Sequence, residues 1–478
     1  MGLSIARRLP DHDERFTKKK GKSMFDLVVK NGLVVDPANR VHSRLNIGVR
    51  DGKIARVTGE PITGRTEIDA EGLVVTPGFI DMHMHEDPYD SKKNAFDFMI
   101  SDTMLRMGVT TAIGGNCGIG YEDPAAYLNA VDRLGFPVNL GMFAPHECIR
   151  NAVGSFGRYD AVDPIYFDKM KEFLRTQLES GCVGLSMGLE YDPGLGEAEV
   201  LALMQVAADR GKLTAVHQRS DGNLAVTSVR EVLDYAQATR GALQISHLSS
   251  MCSFGTMEEI LAIIDDARLR GIDAGFDGYP YYAFCTYLGS AVFDDGFLDK
   301  YSGGESLYTK LQAASGELQG ESLNRESFLE LREKSPDTLI VAHILNEREV
   351  DLCLSHPNGI IVSDGLYSDG KGHPRGSGTF PKFIREFVFH KKQMSLDTAI
   401  EKITYLPAFR LGLNAKGALS AGKDADITIF DPETITDEAT YQEPFKAPSG
   451  IEYVIINGGI ALKQGDILNR SLGRSVRI

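Results

Sequence analysis

The sequence of 478 residues has few of the features that mark specialised classes of protein. No apolar run approaches the roughly 20 residues that span a bilayer, and the first residues lack the apolar centre of a secretory signal. The six cysteines are scattered and form no CxxC pair, so they do not indicate a disulfide framework. We therefore expect a cytoplasmic protein, in a reducing compartment, without a membrane partner.

Positive charge is also scarce, with 51 Lys and Arg against 66 Asp and Glu and a formal net charge of −15. A general nucleic-acid binder needs a basic face, so this balance argues against a nucleic-acid partner. The length indicates a large domain with a smaller companion. Residues 1–23 are basic and polar, and we expect them to be a disordered leader before the folded chain.

Apolar runs in the middle of the chain alternate with amphipathic helical stretches. The candidate strands are residues 78–84, 109–116, 137–143, 183–188, 213–217, 242–247, 272–277 and 359–363. Eight strands with intervening helices predict a (β/α)8 TIM-like barrel over residues 78–412. Residues 283–338 interrupt the alternation, and we predict that they form an insertion with helices of its own above the barrel mouth.

The two ends of the chain are rich in short apolar runs, in residues 25–77 and 413–478. Asn-Gly and Asp-Gly pairs separate several of these runs, and such pairs are strong hairpin turn signals. We predict that both ends pair into one small β domain, a sheet or sandwich. The predicted fold class is therefore α/β, a barrel accompanied by a small β-sandwich domain.

Two histidines, His83 and His85, end the first candidate strand of the barrel. Residues two apart in a strand share a face, and imidazole suits zinc and related metals. Chemistry in such barrels lies at the C-terminal ends of the strands. Further ligand-type residues follow the ends of later strands: Cys117, His217, His247 and Asp364. Each residue alone has a structural alternative, but together they predict a metal centre.

Longer motifs carry a resemblance to a known family. GFIDMHMH, GGNCG, GLSMGLEYDPG, AVHQRSDG, QISH, GYPY, HPRGSGTF and GALSAGKDADITIFDP follow in the family's order within residues 25–478. With these motifs the chain resembles the N-acyl-D-amino-acid deacylases, or D-aminoacylases, of the metal-dependent amidohydrolase superfamily. The resemblance implies zinc-dependent hydrolysis of the amide bond of N-acyl-D-amino acids, which gives a carboxylate and a free D-amino acid.

The resemblance also implies the roles of individual residues. It assigns metal ligands at an α and a β position: His83, His85, Cys117, His217, His247 and Asp364. Cys117 matches the cysteine that supplies a thiolate to the β metal. Asp364 matches the catalytic aspartate, which accepts a proton from the attacking water and passes it to the leaving amine. The resemblance implies one tightly bound zinc ion and leaves a second open.

The small-molecule substrate carries a carboxylate, which calls for a cation or several hydrogen-bond donors. Arg375 matches the family's carboxylate-binding residue, and Tyr191 and Tyr281 match tyrosines that assist it. Family members often read SHHK and HMRDEG where this chain reads SHLS and HQRSDG. These departures bear on the choice of substrate, whereas every residue of the implied metal chemistry is present.

Two other interpretations stay open. Hydrolases of other linear or cyclic amides, such as dihydroorotase-like, hydantoinase-like or dipeptidase-like enzymes, usually carry a bridging lysine on the fourth strand. This chain reads GCVGLSMGL there, without lysine. The second is a barrel that binds metal or serves in assembly without catalysis. The presence of Asp364, together with every predicted ligand, argues against it. The acyl group, the side chain, the metal count and the oligomeric state stay open.

Overall fold

The computed structural model describes residues 24–368 and 370–478, so the predicted leader over residues 1–23 lies outside the described residues. The chain begins with strands β1 Phe25–Asp36, β2 Val41–Arg50, β3 Lys53–Thr58, β4 Gly64–Asp69 and β5 Val74–Pro77.

The Asn31-Gly32 pair lies inside β1, so the prediction of a turn between two strands at this pair was wrong. Asn31 has a φ of 63°, and the pairing of β1 with β2 shifts register there. A Cβ on Gly32 would lie 2.4 Å from Val75 of β5. The glycine therefore allows a close approach between strands, and a bulge replaces the predicted turn.

The next strands along the chain are β6 Phe79–Asp81, β7 Tyr89–Asp90, β8 Ala95–Phe96, β9 Val109–Gly114, β10 Asn139–Met142, β11 Ala144–Pro145, β12 Gly184–Gly188, β13 Leu213–His217, β14 Ala242–Ile245 and β15 Ala274–Gly278. Of these, β7 and β8 form a separate antiparallel pair, and the others belong to the barrel. The helices of this part are α1 Met99–Arg106, α2 Pro124–Leu134, α3 His146–Asn151, α4 Phe167–Glu179, α5 Glu197–Ala208, α6 Ala225–Thr239, α7 Leu248–Met251 and α8 Met257–Leu269.

An insertion follows β15 and contains β16 Phe284–Tyr287, α9 Phe297–Lys300, β17 Leu311–Ala313, α10 Arg325–Lys334 and β18 Leu339–Ala342. Its three strands form an antiparallel sheet in the order β16-β18-β17. The sequence predicted helices here and an end at residue 338, and did not predict this sheet. The strands are short and each needs the others as partners, so local pattern alone did not reveal them.

The chain ends with α11 Glu347–Ser355, β19 Gly359–Ile361, β20 Tyr367–Ser368, β21 Lys371–Gly372, α12 Arg375–Phe383, α13 Leu396–Ile403, α14 Tyr405–Arg410, β22 Ile427–Phe430, β23 Ile451–Ile456, β24 Gly459–Lys463 and β25 Asp466–Ile467. Among the described residues no helix is both long and apolar enough to cross a bilayer.

Parallel strands form the wall of the barrel in two runs, β10-β9-β6 and β11-β12-β13-β14-β15-β19. The amide of Val183, just before β12, donates to the carbonyl of Met142 in β10 and joins the runs. A parallel bridge between Met84 and Gly365 links the last strand to the first. This closed order brings the C-terminal ends of all the strands to one mouth.

Helices cover the outside of the strands through regularly spaced apolar residues. In α6, Ala225, Val229, Val232 and Ala236 recur every three or four residues and are buried. This spacing puts them on one face of a helix. Burial of one large aliphatic side chain contributes about 1.5–3 kcal/mol, so such faces hold the helices against the barrel.

The ends of the chain form one nine-stranded sheet in the order β25-β24-β23-β22-β5-β1-β2-β3, with β4 paired to β1. Its centre is the antiparallel pairing of β5 with β22. Only Gly78 separates β5 from β6, and a Cβ there would lie 2.1 Å from Thr110 of β9. The sheet therefore runs directly into the strand that leads to His83 and His85.

Candidate metal centre

Four side chains from four strand ends converge at the barrel mouth: His83, Cys117, His247 and Asp364. One ligand atom of each lies within 4.8 Å of those of the other three, and all four residues are buried. Cys117 Sγ lies 3.3 Å from His83 Nε2 and 3.4 Å from His247 Nε2. A thiolate with two imidazoles and a carboxylate is a donor set that suits zinc, so the residues fit the implied metal.

Three of these residues have an unusual backbone conformation. Cys117, His247 and Asp364 have φ angles of 55°, 33° and 49°. Left-handed backbone costs about 1–3 kcal/mol in a residue with a side chain and is concentrated at functional sites. Each of the three follows a strand by two or three residues, so the conformation turns the chain where the side chains meet.

His85 and His217 lie at the margin of this cluster. His85 Nε2 is 3.5 Å from Asp364 Oδ1, and His217 Nδ1 is 3.1 Å from His247 Nε2. The structure therefore brings all the predicted ligand residues into one region. Their assignment to separate α and β metal positions stays a prediction.

Opposite charges in the cluster favour the anionic forms of its acidic members. Burial would raise the pKa of the Cys117 thiol, but the charges of His83 and His247 have a larger, opposite effect. They hold that pKa well below its ordinary value. Burial would also raise the pKa of Asp364, yet Arg375 and His247 hold it below the usual range. Thiolate and carboxylate are the forms that bind a cation.

Arg375 lies beside the cluster with almost no exposure, at 2%. Its Nη2 is 3.0 Å from Asp364 Oδ2, and it donates to the Tyr279 hydroxyl at 2.7 Å and the Cys285 carbonyl at 3.2 Å. Tyr191 packs its ring 4.4 Å from the ring of His217. Arg375 and Tyr191 both line the small cavity at the cluster.

Of the three predicted substrate-binding residues, Tyr281 is the one that does not line this cavity. Its hydroxyl lies 3.2 Å from Asp437 and 3.5 Å from the Pro374 carbonyl. Tyr279, the first tyrosine of the GYPY motif, lines the cavity and contacts Arg375 instead. Pro280 separates the two tyrosines and fixes its own backbone φ, and the motif did not indicate which ring turns inward.

Charged residues around the histidines were also missed. His83 Nδ1 lies 3.4 Å from Asp277, whose carboxylate accepts the His247 backbone amide at 2.7 Å. Glu190 accepts a hydrogen bond from His217 Nε2 at 3.0 Å. Glu190 is adjacent to Tyr191 in the GLEYDPG motif, so the sequence could have indicated it. Asp277 ends the candidate strand at residues 272–277 and could have been found by the same strand-end argument.

Two neighbouring cavities lie at the mouth. The inner cavity, at the cluster, has a volume of about 20 Å³, which is room for about one water molecule. The outer cavity has a volume of about 520 Å³ and includes His85 in its lining. Tyr191 and Thr286 line both cavities, so these two side chains lie where the cavities adjoin.

The model of the amidohydrolase family matches residues 74–244 and 342–461, more than half of the chain. This chain belongs to the amidohydrolase family. The part that remains unmatched between these ranges contains the seventh barrel strand and nearly all of the insertion.

Relatives of this amidohydrolase agree with the family assignment. An N-acyl-D-glutamate deacylase of Alcaligenes xylosoxydans xylosoxydans is 30% identical, and the match covers 95% of this chain and 96% of that one. A D-aminoacylase of the same organism is 30% identical over 94% of this chain and 97% of its own length. The resemblance to the N-acyl-D-amino-acid deacylase family is thereby confirmed.

A solved structure of an N-acyl-D-glutamate deacylase from Bordetella bronchiseptica, complexed with zinc and a phosphonate inhibitor, has a TM-score of 0.85 and is 28% identical to this amidohydrolase. It covers 95% of this chain, and this chain covers all of it. A D-aminoacylase structure has a TM-score of 0.84 at 27% identity, with the same coverage. The predicted fold class, a TIM-like barrel with a small β domain, is confirmed.

Proposed function

We propose that this amidohydrolase cleaves the amide bond of N-acyl-D-amino acids and releases a carboxylate and a free D-amino acid. The observation that carries the proposal is that one carboxylate, that of Asp364, contacts both a buried guanidinium and the histidines of the cluster. Arg375 lies 3.0 Å from Asp364, and Asp364 lies 3.5 Å from His83 and from His85. A reaction centre and an anchor for a carboxylate are thus adjacent.

We propose that zinc is the metal and that six residues form its α and β positions: His83, His85, Cys117, His217, His247 and Asp364. The zinc in the N-acyl-D-glutamate deacylase structure and the thiolate of Cys117 support zinc over magnesium. Another solved D-aminoacylase is described as having a binuclear metal centre, which supports a second position. Zinc at this site would act as a Lewis acid toward the carbonyl and activate water near neutral pH.

The residues of the chain supply the other parts of the reaction. The carboxylate of Asp364 accepts a proton from the attacking water and then donates it to the leaving nitrogen, as general base and general acid in turn. The guanidinium of Arg375 holds the substrate carboxylate, and the Tyr279 hydroxyl keeps the guanidinium in place. The inner cavity has room for about one water molecule, and charge interactions are stronger where little water is present.

Hydrolysis of another linear or cyclic amide is the second candidate. The observation in its favour is that SHLS and HQRSDG replace the family's usual loop sequences after β14 and β13. The loops at these strand ends line the inner cavity through Asp221 and Ser250. These sequence changes alter the lining of the inner cavity and so affect which amide fits there. They do not alter the ligand-type residues around Asp364.

The test uses the full chain with zinc added, and the same protein after removal of metal by a chelator. Release of free amine is measured with N-acetyl-D-amino acids and their L forms, and ring opening of dihydroorotate and hydantoin is followed by the loss of their ultraviolet absorbance. We expect turnover of D substrates that is lost without metal and restored by zinc. Turnover of only the cyclic amides would favour the second candidate, and no turnover of any N-acyl-D-amino acid with zinc bound would contradict the proposal.

We also propose that the protein works in the cytoplasm on a small-molecule substrate. All six cysteines are free and buried, which is the usual state in a reducing compartment. The formal net charge of −15 further supports a partner other than nucleic acid. Fractionation of cells that produce the full chain would test the location.

A further inference from the structure

A buried cluster of charges lies beside His217, and the proposed reaction does not use it. Glu190 and Asp221 are each at least 95% buried. The ammonium group of Lys300 lies between them, 2.7 Å from Glu190 Oε1 and 2.9 Å from Asp221 Oδ1. The other oxygen of Asp221 accepts a hydrogen bond from the Tyr301 hydroxyl at 2.6 Å.

Glu190 connects this cluster to the candidate metal centre. One carboxylate oxygen accepts from Lys300 at 2.7 Å, and the other accepts from His217 Nε2 at 3.0 Å. With its Nε2 proton donated to Glu190, His217 presents the Nδ1 lone pair toward His247 Nε2, 3.1 Å away. Metal-binding histidines commonly donate their other ring N–H to a carboxylate, which fixes tautomer and orientation.

Lys300 and Tyr301 belong to the insertion, at the end of α9. The backbone of the insertion touches the loop after β13, because a Cβ on Gly222 would lie 2.4 Å from the Lys300 carbonyl oxygen. The side chain of Asn223 also donates to the Asp299 carbonyl at 3.4 Å. The same insertion supplies Cys285 and Thr286 to the lining of the inner cavity.

We propose that Glu190 is a positioning residue for His217 and that Lys300 and Tyr301 join the insertion to it. Metal binding at His217 and docking of the insertion then strengthen each other. This inference rests on the proposed role of His217 as a metal ligand. Coupling of this kind is reciprocal: the factor by which docking raises metal affinity is the factor by which metal favours docking.

The first measurement needs no variant. Hydrogen exchange of the full chain is compared with and without zinc, and β2, in the terminal sheet, serves as the internal reference. We expect zinc to slow exchange in residues 297–301 severalfold relative to β2. Exchange in residues 297–301 that is the same with and without zinc would overturn the inference.

The second measurement is zinc affinity by competition with a coloured chelator. We expect Glu190→Gln to weaken zinc binding by about 10–100-fold, the usual effect of losing such a carboxylate partner. Glu305→Gln is the matched control, because Glu305 is an exposed glutamate of the same insertion. The visible spectrum of the cobalt-substituted protein should shift in Glu190→Gln and stay unchanged in the control.

Lys300→Met tests the link to the insertion. We expect it to remove the zinc-dependent protection of residues 297–301, whereas Lys310→Met, at an exposed lysine of the same insertion, should retain it. Protection that persists in Lys300→Met would show that this lysine does not couple the two events and would overturn that part of the inference.

His217→Ala separates this inference from the proposed function. Unchanged zinc affinity in Glu190→Gln, with weakened affinity in His217→Ala, overturns the inference and leaves the proposed metal site intact. Unchanged zinc affinity in His217→Ala would show that His217 is not a metal ligand, and this result would overturn the inference as well. Should Glu190→Gln fail to fold, the exchange measurement on the unaltered protein decides.

Discussion

Asp364→Asn is the most informative single change, because it removes a charge and a proton acceptor while nearly keeping the shape of the side chain. Asp364 is buried, with Arg375 Nη2 at 3.0 Å and two histidine nitrogens at 3.5 Å. His83, Cys117 and His247 remain as potential ligands. We therefore expect the variant to retain zinc and to lose nearly all turnover.

The expected loss follows from the two roles of the carboxylate. A missing general acid and base lowers kcat by about 10²–10⁴-fold, which corresponds to roughly 3–5 kcal/mol in the activation free energy. Breaking the buried pair with Arg375 costs about 3–5 kcal/mol of folding stability. The amide oxygen of asparagine still accepts a hydrogen bond, so we expect a stability cost near the lower value.

The assay measures kcat on the best N-acetyl-D-amino acid at saturating zinc, together with the zinc-to-protein ratio of each preparation. Thermal unfolding of both proteins checks that the variant is folded. A kcat of the variant within tenfold of the original would show that Asp364 does not carry out the proton transfer. Loss of zinc in parallel with activity would instead make Asp364 chiefly a metal ligand.

Three further predictions concern the ligands and the substrate anchor. Cys117→Ala should lower the zinc-to-protein ratio, because a thiolate is lost; an unchanged ratio would show that the cysteine is not a ligand. Arg375→Met should lower kcat/KM for N-acetyl-D-amino acids by about 10–100-fold, since a hydrogen bond to a charged group contributes about 1.5–3 kcal/mol. An N-acetylated amine without a carboxylate is the control, and an equal loss with both substrates would contradict the role of Arg375. Tyr279→Phe should raise KM severalfold, whereas Tyr281→Phe should leave KM unchanged; equal effects in a kinetic comparison would argue against the different positions of the two rings.

Much of the barrel was predictable because its pattern is local and its strands are fully buried. The candidate strand at residues 213–217 coincides with β13, and His217 is its last residue. His247 and Asp364 follow their strands by two and three residues, as the strand-end argument requires. The ligand-type residues could therefore be found without knowledge of their distances.

The errors share a physical cause, which is dependence on distant partners. Gly32 was taken for a turn because its contact with Val75 of β5 is not visible in the local sequence. Tyr281 was predicted from a motif, which gives the identity of a residue and not the direction of its side chain, and Tyr279 was not considered. Lys300 had no signal, since its two carboxylate partners lie about 80 and 110 residues earlier in the chain.

The pairing of β5 with β22 has a consequence for how the protein is made. β5 leads directly into β6 and the histidines after it, yet its partner β22 is synthesised about 350 residues later. At common rates of synthesis this interval is roughly 20–70 s, during which β5 is paired with β1 on one side only. By the time β22 emerges, every proposed metal ligand has already left the ribosome. A nascent chain that stalled just before β22 would therefore carry the complete set of ligands and still lack the strand that holds the first of them in place.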